Sequence, residues 1–135
     1  MSRAHLDTHA LIWMLEESPA LGRKAQGLVR DALSSDELAV SAIVFWEAAM
    51  LVAKGRLRLA EPLEQWRQIV LGIGITELPV DGEIGVAAVA LRGLHPDPAD
   101  RIIAATAMFE RATLVTADRR MLGWRGGLKC HDARM

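Results

Sequence analysis

The chain alternates short segments rich in β-branched and apolar residues with longer stretches that carry apolar residues at helical spacing. Strands that are separated by helices need crossover connections, and right-handed crossovers place such strands parallel in a sheet covered on both faces. The pattern therefore predicts an α/β fold with three layers, α/β/α, around a mostly parallel central sheet of four to five strands. Since ligands bind beyond the carboxyl ends of strands in such sheets, functional residues are expected at that edge.

Cap and stop residues set the boundaries of several predicted elements. Pro19 lies near the start of the second helix, Ser41 caps the third, and Gly55 is well placed to end it. In chain order, the predicted strands cover residues 3–7, 37–40, 75–78 and 112–116, with a last edge strand at 128–130. The predicted helices cover residues 8–15, 19–34, 42–54, a stretch after Pro62, 81–91, 98–110 and one turn after Asp118.

Length and composition favour one globular domain, residues 1–135, because 51% of the residues are hydrophobic and a chain of this length can bury a core. Cys130 is the single cysteine, which suits a reducing compartment. The N-terminus lacks the pattern of a signal peptide. The apolar run 42–53 is interrupted by Glu47 and is too short to cross a bilayer. A cytoplasmic location without membrane association is expected.

The balance of charge is close to neutral, with a formal net charge of -1. If four of the 17 acidic residues were held around a cation, the 16 Lys and Arg would outnumber the remaining 13. The rest of the surface would then be mildly basic, which is compatible with a phosphate-rich ligand.

Two aspartates follow predicted strands directly. Asp7 comes at the end of the first strand, and Asp118 follows the β-rich run 113–116. Each is also a plausible cap for the helix that begins next to it. Taken singly, neither aspartate distinguishes a structural role from a functional one.

Glu47 lies within an apolar helix. Its helical neighbours three and four positions away are Ile43, Val44, Met50 and Leu51, so no solvated stripe is visible around it. A charged group in such a helix is costly to bury unless it is paired or bound to a cation. This position favours function over surface charge.

A pair of aspartates stands at the start of the predicted helix 98–110. Asp97 suits the N-cap, Pro98 the first helical position and Asp100 the third, where both charges favour the positive end of the helix. Capping accounts fully for Asp97. It accounts less well for Asp100, because the apolar residues that follow predict a buried helix whose first turn opens at the edge of the sheet.

The joint placement of Asp7, Glu47, Asp100 and Asp118 needs more than capping. Like charges about 4 Å apart repel by roughly 4 kcal/mol per pair at an effective dielectric of ~20, so some acids would protonate without a cation. With one, they form an all-oxygen site that suits Mg²⁺ or Mn²⁺. Zinc is disfavoured by the single cysteine and the lack of paired histidines at ligand spacing.

Four segments in sequence resemble the PIN domain, and most closely the VapC-type toxins of toxin–antitoxin pairs. The resemblance covers nearly the whole chain. It departs at Ala99, where many relatives carry an aromatic residue. The segments are LDTHALIW (6–13), SAIVFWEAAMLVAKGRL (41–57), DPADRIIAATA (97–107) and LVTADRRML (114–122).

The resemblance implies a metal-dependent endoribonuclease that uses Mg²⁺ or Mn²⁺, with an antitoxin partner and a homodimeric assembly. It makes Asp7, Glu47, Asp100 and Asp118 the catalytic and metal-binding acids. It also implies that Thr116 contacts a water on the ion, and that Asp97 assists from further away. The antitoxin's C-terminal segment would occupy an apolar groove and reach the acids with a basic residue.

Other residue types give weaker indications. Lone histidines such as His9 and His95 are more often structural than catalytic. Three tryptophans in predicted helices, Trp13, Trp46 and Trp66, are individually typical of a core but together indicate a partly exposed groove. The basic residues near the acids are candidates for RNA phosphate contacts as a group, with ordinary surface charge as the alternative. They are Arg101, Arg119, Arg120, Lys54, Arg56 and Arg58.

Three other functions remain open at this point. A phosphoaspartyl phosphatase would use Asp7 as its nucleophile, but such enzymes usually carry a second acid two residues later, where this chain has His9. An inactive PIN-like binding module would be favoured if the acids lay too far apart to share an ion. A PIN nuclease of RNA processing, without a toxin role, differs only in its partners.

Overall fold

The structure is a computed structural model that describes residues 3–135 as a five-stranded sheet with seven helices. No helix in this described part is long and apolar enough to cross a membrane. The predicted α/β/α architecture is confirmed. The strands are β1 (Ala4–Leu6), β2 (Leu38–Ser41), β3 (Thr76–Leu78), β4 (Thr113–Thr116) and β5 (Lys129–Asp132). The helices are α1 (Thr8–Leu15), α2 (Arg23–Ser34), α3 (Ile43–Ala53), α4 (Leu63–Ile73), α5 (Gly82–Ala90), α6 (Pro98–Phe109) and α7 (Arg119–Leu122).

The strand order β3-β2-β1-β4-β5 creates a crevice at one edge of the sheet, and every adjacent pair is parallel. The chain builds outward from β1 to β3 and then returns to place β4 on the other side of β1. The connections that leave β1 and β4 therefore run in opposite directions. This reversal opens the crevice in which open α/β sheets bind their ligands.

The central strands are apolar and fully covered, as expected for a parallel sheet with helices on its faces. Leu6, Leu38 and Leu114 have no exposed surface. Helices α1 and α2 pack against β1, and α6 packs against β2, β4 and α5. Small residues of α6, such as Ala104 and Ala107, are also fully buried, which lets this helix approach the sheet closely. The close approach fixes the start of α6 at the edge of the sheet.

The second helix starts later than predicted, at Arg23 and not near Pro19. The reason is the C-terminal segment of the chain. The Gly22 amide donates to the Ala133 carbonyl at 2.8 Å, and the Lys24 amide donates to the Met135 carbonyl at 2.9 Å. These bonds satisfy amides that a helix leaves free in its first turn, so they decide where α2 begins.

The boundaries of α3 follow the predicted signals with one change. Ser41 belongs to β2, and its hydroxyl oxygen accepts from the Ile43 amide at 3.2 Å, so it stabilises the start of α3 from outside the helix. Gly55 ends the helix in the left-handed region, with φ of 71°. The Arg56 amide donates to the Leu51 carbonyl at 2.8 Å across this turn.

Gly22, the residue that caps the start of α2, is expected to tolerate replacement less well than a glycine inside the helix. A Cβ atom there would lie 2.2 Å from the carbonyl carbon of Met135, and the backbone has little freedom to move away. Gly22→Ala should therefore lower the free energy of unfolding by about 1–3 kcal/mol, measured by urea denaturation. Gly27 of the same helix has open space around its Cβ position. As the control, Gly27→Ala should raise stability by roughly 0.5–1 kcal/mol, and equal effects at both sites would contradict the prediction.

Candidate active site

A cleft of about 320 Å³ opens at the carboxyl edge of the sheet, above the ends of β1 and β4. The structure brings all four predicted acids to this cleft, together with the neighbouring aspartate of the α6 cap. They are Asp7, Glu47, Asp97, Asp100 and Asp118. The acids come from four separate stretches of chain, which meet at this edge because the strands are parallel. The sheet edge predicted from the sequence is thus the acidic edge of the molecule.

Asp7 follows β1 and caps α1. Its Oδ1 accepts from the Ala10 amide at 2.9 Å, and its Oδ2 accepts from the Thr116 hydroxyl at 2.5 Å. Only 7% of the residue is exposed. Burial raises the pKa of Asp7 to about 6, because it outweighs the two hydrogen bonds that favour the charged form. Asp7 is therefore both rigidly held and reluctant to ionise unless a positive charge approaches.

Thr116 joins the ends of β1 and β4. Its buried hydroxyl donates to Asp7, and its oxygen accepts from the Asp118 amide at 3.1 Å. The sequence resemblance gave this hydroxyl a contact with a water on the ion. In the structure its hydrogen is donated to Asp7, so Thr116 fixes the orientation of that carboxylate, and the contact with a water on the ion stays a prediction.

Glu47 projects from the second turn of α3 into the cleft. Its Oε1 forms a short hydrogen bond with the hydroxyl of Thr8, the first residue of α1. Burial raises the pKa of Glu47, and the charges of Asp100 and Asp97 raise it further. The apolar neighbours of Glu47 in the sequence predicted that it would not lie on a solvated surface. In the structure its carboxylate lines the cleft.

Asp97 and Asp100 form the mouth of α6. Asp97 caps the helix, because its Oδ1 accepts from the Asp100 amide at 3.1 Å. Asp100 lies in the first turn of the helix, and its Oδ2 is 2.7 Å from Nε2 of His95. Burial raises the pKa of Asp100, and the nearby charge of Asp97 adds to the rise. The cap aims Asp100 into the cleft, and His95 fixes the rotation of its carboxylate.

Asp118 differs from the other acids in its electrostatics. Its Oδ2 accepts from Nη2 of Arg120 at 2.9 Å, and its Oδ1 accepts from the Arg120 amide at 2.8 Å. Burial raises the pKa of Asp118, but the hydrogen bonds and the charge of Arg120 outweigh it and hold the pKa below its usual value. Arg120 also lies 3.8 Å from Asp100, so one guanidinium moderates the charge of two acids.

Two sets of side chains are close enough to share an ion. Oxygens of Glu47, Asp97 and Asp100 lie within 4.8 Å of one another, and so do ligand atoms of His95, Asp100 and Asp118. Asp100 belongs to both sets. The first set offers only oxygen atoms, the ligands that a hard divalent cation prefers. Two of its acids, Glu47 and Asp100, have raised pKa values. Asp97 therefore lies close enough to Glu47 and Asp100 to hold an ion together with them, and its assisting role stays a prediction.

A protein-family comparison decides the classification of this acidic fold. The model described as "PIN domain" matches residues 4–123. The chain belongs to the PIN domain family. It is also 38% identical over 122 residues to "Ribonuclease VapC22" of Mycobacterium tuberculosis (strain ATCC 25618 / H37Rv), and the match covers 90% of this chain and 91% of that protein. The VapC-type resemblance read from the sequence is thereby confirmed.

Solved structures with the same fold include toxin–antitoxin complexes. The chain in DNA-bound VapBC from Salmonella typhimurium has a TM-score of 0.68 at 21% identity, with 98% of both chains covered. The chain in VapBC2 from Rickettsia felis, bound to a promoter DNA fragment, has a TM-score of 0.66 at 22% identity, covering 95% of this chain and 96% of that one. At these identities the likeness establishes the fold.

The predicted phosphate-contacting residues of this PIN domain occupy different surroundings. Arg120 lines the cleft. Arg119 is exposed at the start of α7. Lys54 and Arg56 are exposed where α3 ends, well past the turn that carries Glu47. Arg101 is wrongly placed in that group, because it does not line the cleft and its guanidinium binds main-chain carbonyls of α5 and of the segment before α6.

Arg134 lines the cleft and was missed by sequence reasoning. Its Nη1 donates to the Ala117 carbonyl at 2.8 Å, and its guanidinium lies 5.8 Å from the centre of the Trp13 ring. The predicted last edge strand, β5, could have placed Arg134 at the cleft. A parallel edge strand must bring the residues after it to the carboxyl edge, where the acids lie.

The three tryptophans have separate roles. Trp13 lines the cleft and also an adjoining apolar groove. Trp46 is 52% exposed on α3. Trp66 is a core residue, 5% exposed, whose ring meets Phe45 edge-on at 5.9 Å. The expectation of a partly exposed groove therefore holds for Trp13 and fails for Trp66.

Proposed function

We propose that this PIN domain is a divalent-cation-dependent endoribonuclease and the toxin of a VapBC-type pair, with residues 1–135 acting as one domain. The observation that carries the proposal is the cluster of five carboxylates at the crevice between β1 and β4. Membership of the PIN family and the ribonuclease name of the VapC22 relative support the reaction class. The substrate is an RNA phosphodiester bond.

The acids divide into two groups around the cation. Glu47, Asp97 and Asp100 would hold it, and Asp7 and Asp118 line the same cleft. Mg²⁺ is the proposed ion and Mn²⁺ its substitute, because both prefer oxygen ligands. When bound, such a cation supplies positive charge against the developing charge on the phosphate and acidifies water. The remaining steps depend on how the protein positions the phosphate.

The chain's own residues orient the reacting groups. Thr116 and the Ala10 amide hold both oxygens of Asp7, while His95 holds Asp100. Arg120 and Arg134 line the cleft and offer guanidinium groups to the phosphates next to the scissile one. Pre-set donors and acceptors of this kind lower the barrier because they need no reorganisation during the reaction.

An antitoxin is the proposed protein partner. The structural neighbours from Rickettsia felis and Salmonella typhimurium are VapBC complexes. Beside the cleft of this chain lies an apolar groove of about 490 Å³, and Trp13 belongs to both surfaces. A segment laid along the groove would end within reach of the acids, where a basic side chain would neutralise them. The groove is lined by Trp13, Met14, Leu21, Val29 and Leu33 together with polar residues. A homodimer stays a prediction.

Two alternatives are disfavoured by the geometry. An inactive binding module is disfavoured because acid oxygens lie close enough to share one ion. A phosphoaspartyl phosphatase is disfavoured because both oxygens of Asp7 accept hydrogen bonds within the protein, which hinders their use as a nucleophile. A nuclease of RNA processing has the same site, so only its partner and substrate distinguish it.

The test is cleavage of a structured RNA by the purified protein with Mg²⁺ and with EDTA. We expect cleavage that EDTA abolishes and that Glu47→Gln reduces by at least about a hundredfold. Glu83→Gln is the matched control, because Glu83 is an exposed acid on α5 outside the cleft. Equal activity in the Glu47 and Glu83 variants would assign the cleavage to a contaminant and overturn the proposal.

A further inference from the structure

Arg101 follows Asp100 directly but turns its side chain away from the cleft. Its guanidinium donates to five main-chain carbonyls, the longest bond being that from Nη1 to the Val89 carbonyl at 3.4 Å. Nη1 binds those of Ala88 and Leu91, both at 2.9 Å, Nη2 binds that of Leu94 at 2.6 Å, and Nε binds that of His95 at 3.0 Å. Every nitrogen of the guanidinium is therefore engaged by the backbone between α5 and α6.

These carbonyls need a donor because of how α5 ends. Leu91 follows the helix in an extended conformation, with φ of -68° and ψ of 116°, so the chain leaves the helical path at once. The last carbonyls of a helix lack partners within it, and a cation near them is favoured by the helix dipole. Arg101 meets both needs from the neighbouring helix α6.

The segment that Arg101 binds also carries His95. The His95 carbonyl accepts from Arg101, while its Nε2 lies 2.7 Å from Oδ2 of Asp100. The His95 side chain is 10% exposed, and Leu94 beside it is 5% exposed. The first turn of α6 therefore holds residues 91–95 at two points, through the guanidinium of Arg101 and the carboxylate of Asp100.

We propose that Arg101 is a positioning residue for the nuclease site. By binding the carbonyls of Leu91, Leu94 and His95 it holds residues 91–95 in place, so that His95 keeps the Asp100 carboxylate in the orientation that a cation requires. The inference rests on the proposed function for its kinetic consequence. Hydrogen bonds to a metal-binding carboxylate commonly change affinity or activity by about ten- to hundredfold when they are lost.

The first measurement compares Arg101→Gln and Arg101→Lys with wild type in RNA cleavage at several salt concentrations. We expect kcat to fall about ten- to hundredfold in both variants, with KM and its salt dependence unchanged. Lysine should not rescue, because a point charge cannot bridge carbonyls spread along the segment. The comparison variant is Arg120→Gln, in which loss of a phosphate contact should raise KM and lower the salt slope by about one, in addition to any change of kcat from its lost pairing with Asp118.

The second measurement is a double-mutant cycle between Arg101→Gln and His95→Gln. If Arg101 acts through His95, the double variant should be about as slow as the slower single variant. Additive losses would overturn the proposal. So would an Arg101→Gln variant with raised KM and a reduced salt slope that Arg101→Lys restores, since that pattern belongs to a phosphate contact.

A third readout does not depend on cleavage. In the metal-free protein, the hydrogen-bonded Nε2 proton of His95 should give a protected ¹⁵N-edited NMR signal in wild type that is lost in Arg101→Lys. If wild type does not cleave RNA, the proposed function fails while this signal still decides the positioning role. Retention of the signal in Arg101→Lys overturns the inference.

Loss of stability alone needs its own control. Val70 is fully buried in α4 and does not line the cleft, so Val70→Ala supplies a comparable loss of stability away from the site. It should leave kcat unchanged at a temperature where both variants are folded. Arg101→Lys keeps the positive charge at the end of α5. If Arg101→Gln does not fold, Arg101→Lys is the variant that tests the inference. An equal fall of kcat in Val70→Ala would overturn the inference.

Discussion

Asp7→Asn is expected to lower RNA cleavage by about a thousandfold, or ~4 kcal/mol of transition-state stabilisation, while making the metal-free protein more stable at pH 7. Activity falls because Asp7 stands at the end of a central strand, within the acidic cleft, with both oxygens held in place. Removing its charge weakens the hold on a cation without moving the side chain. Single-turnover cleavage with saturating Mg²⁺ measures this effect.

The gain in stability follows from the pKa of Asp7. Burial raises this pKa from 3.8 to about 6, so the folded protein binds the proton more tightly than the unfolded chain does. The contribution of Asp7 to stability is therefore largest below about pH 4 and declines as the pH rises through 6, by up to ~3 kcal/mol. Asparagine carries no charge to bury, and it still accepts from the Ala10 amide as a good N-cap. We expect the variant to be more stable by about 1–3 kcal/mol at pH 7, with no gain near pH 4.

Asp118 supplies the matched control within the same cleft. The guanidinium of Arg120 holds the pKa of Asp118 below its usual value despite burial, so its charge stabilises the folded state. Asp118→Asn should therefore lose stability at pH 7, while also losing activity. Urea denaturation in EDTA at both pH values separates the two variants. A loss of stability in Asp7→Asn at pH 7 would refute the burial argument.

The sequence predicts the parallel sheet and the acidic edge well, because both depend on short-range patterns. Strands of alternating segments must run parallel, and residues that follow such strands must meet at one edge. Asp7 and Asp118 follow from this geometry alone. Glu47 follows from the absence of any polar neighbour on its helix. These residues could be placed without knowing how any two helices pack.

Contacts that depend on distant parts of the chain could not be predicted in this way. Arg134 reaches the cleft because β5 pairs with β4 and the C-terminal segment docks on Gly22. Arg101 turns away from the acids because α5 ends in an extended residue and leaves carbonyls without partners. The presence of basic residues beside acidic motifs in the sequence does not predict the position of Arg134 or the direction of the Arg101 side chain. The side chain direction was decided by the packing of α5 against α6.

Adding Mg²⁺ or Mn²⁺ is expected to raise the thermal midpoint of the wild-type protein, and the rise should grow with pH. At a cation concentration of about a hundred times the dissociation constant, binding stabilises the folded state by ~2.7 kcal/mol, or roughly 10 °C for a domain of this size. Burial raises the pKa values of Asp7, Glu47 and Asp100, so a cation must displace protons from these groups when the pH is low.

The two pH trends have opposite signs, which makes the experiment diagnostic. Without a cation, the raised pKa of Asp7, about 6, makes stability fall as the pH rises from about 4 to 7. With one, the same ionised carboxylates become ligands, so the midpoint with Mg²⁺ should exceed the EDTA midpoint by more at pH 7 than at pH 5.

Calorimetry in buffers of different ionisation enthalpy should show proton release on binding near pH 6. Glu47→Gln should strongly reduce the rise of the thermal midpoint that the cation causes, and Glu83→Gln should leave that rise unchanged. A shift that is independent of pH, or equal in both variants, would place the cation outside the acidic cleft.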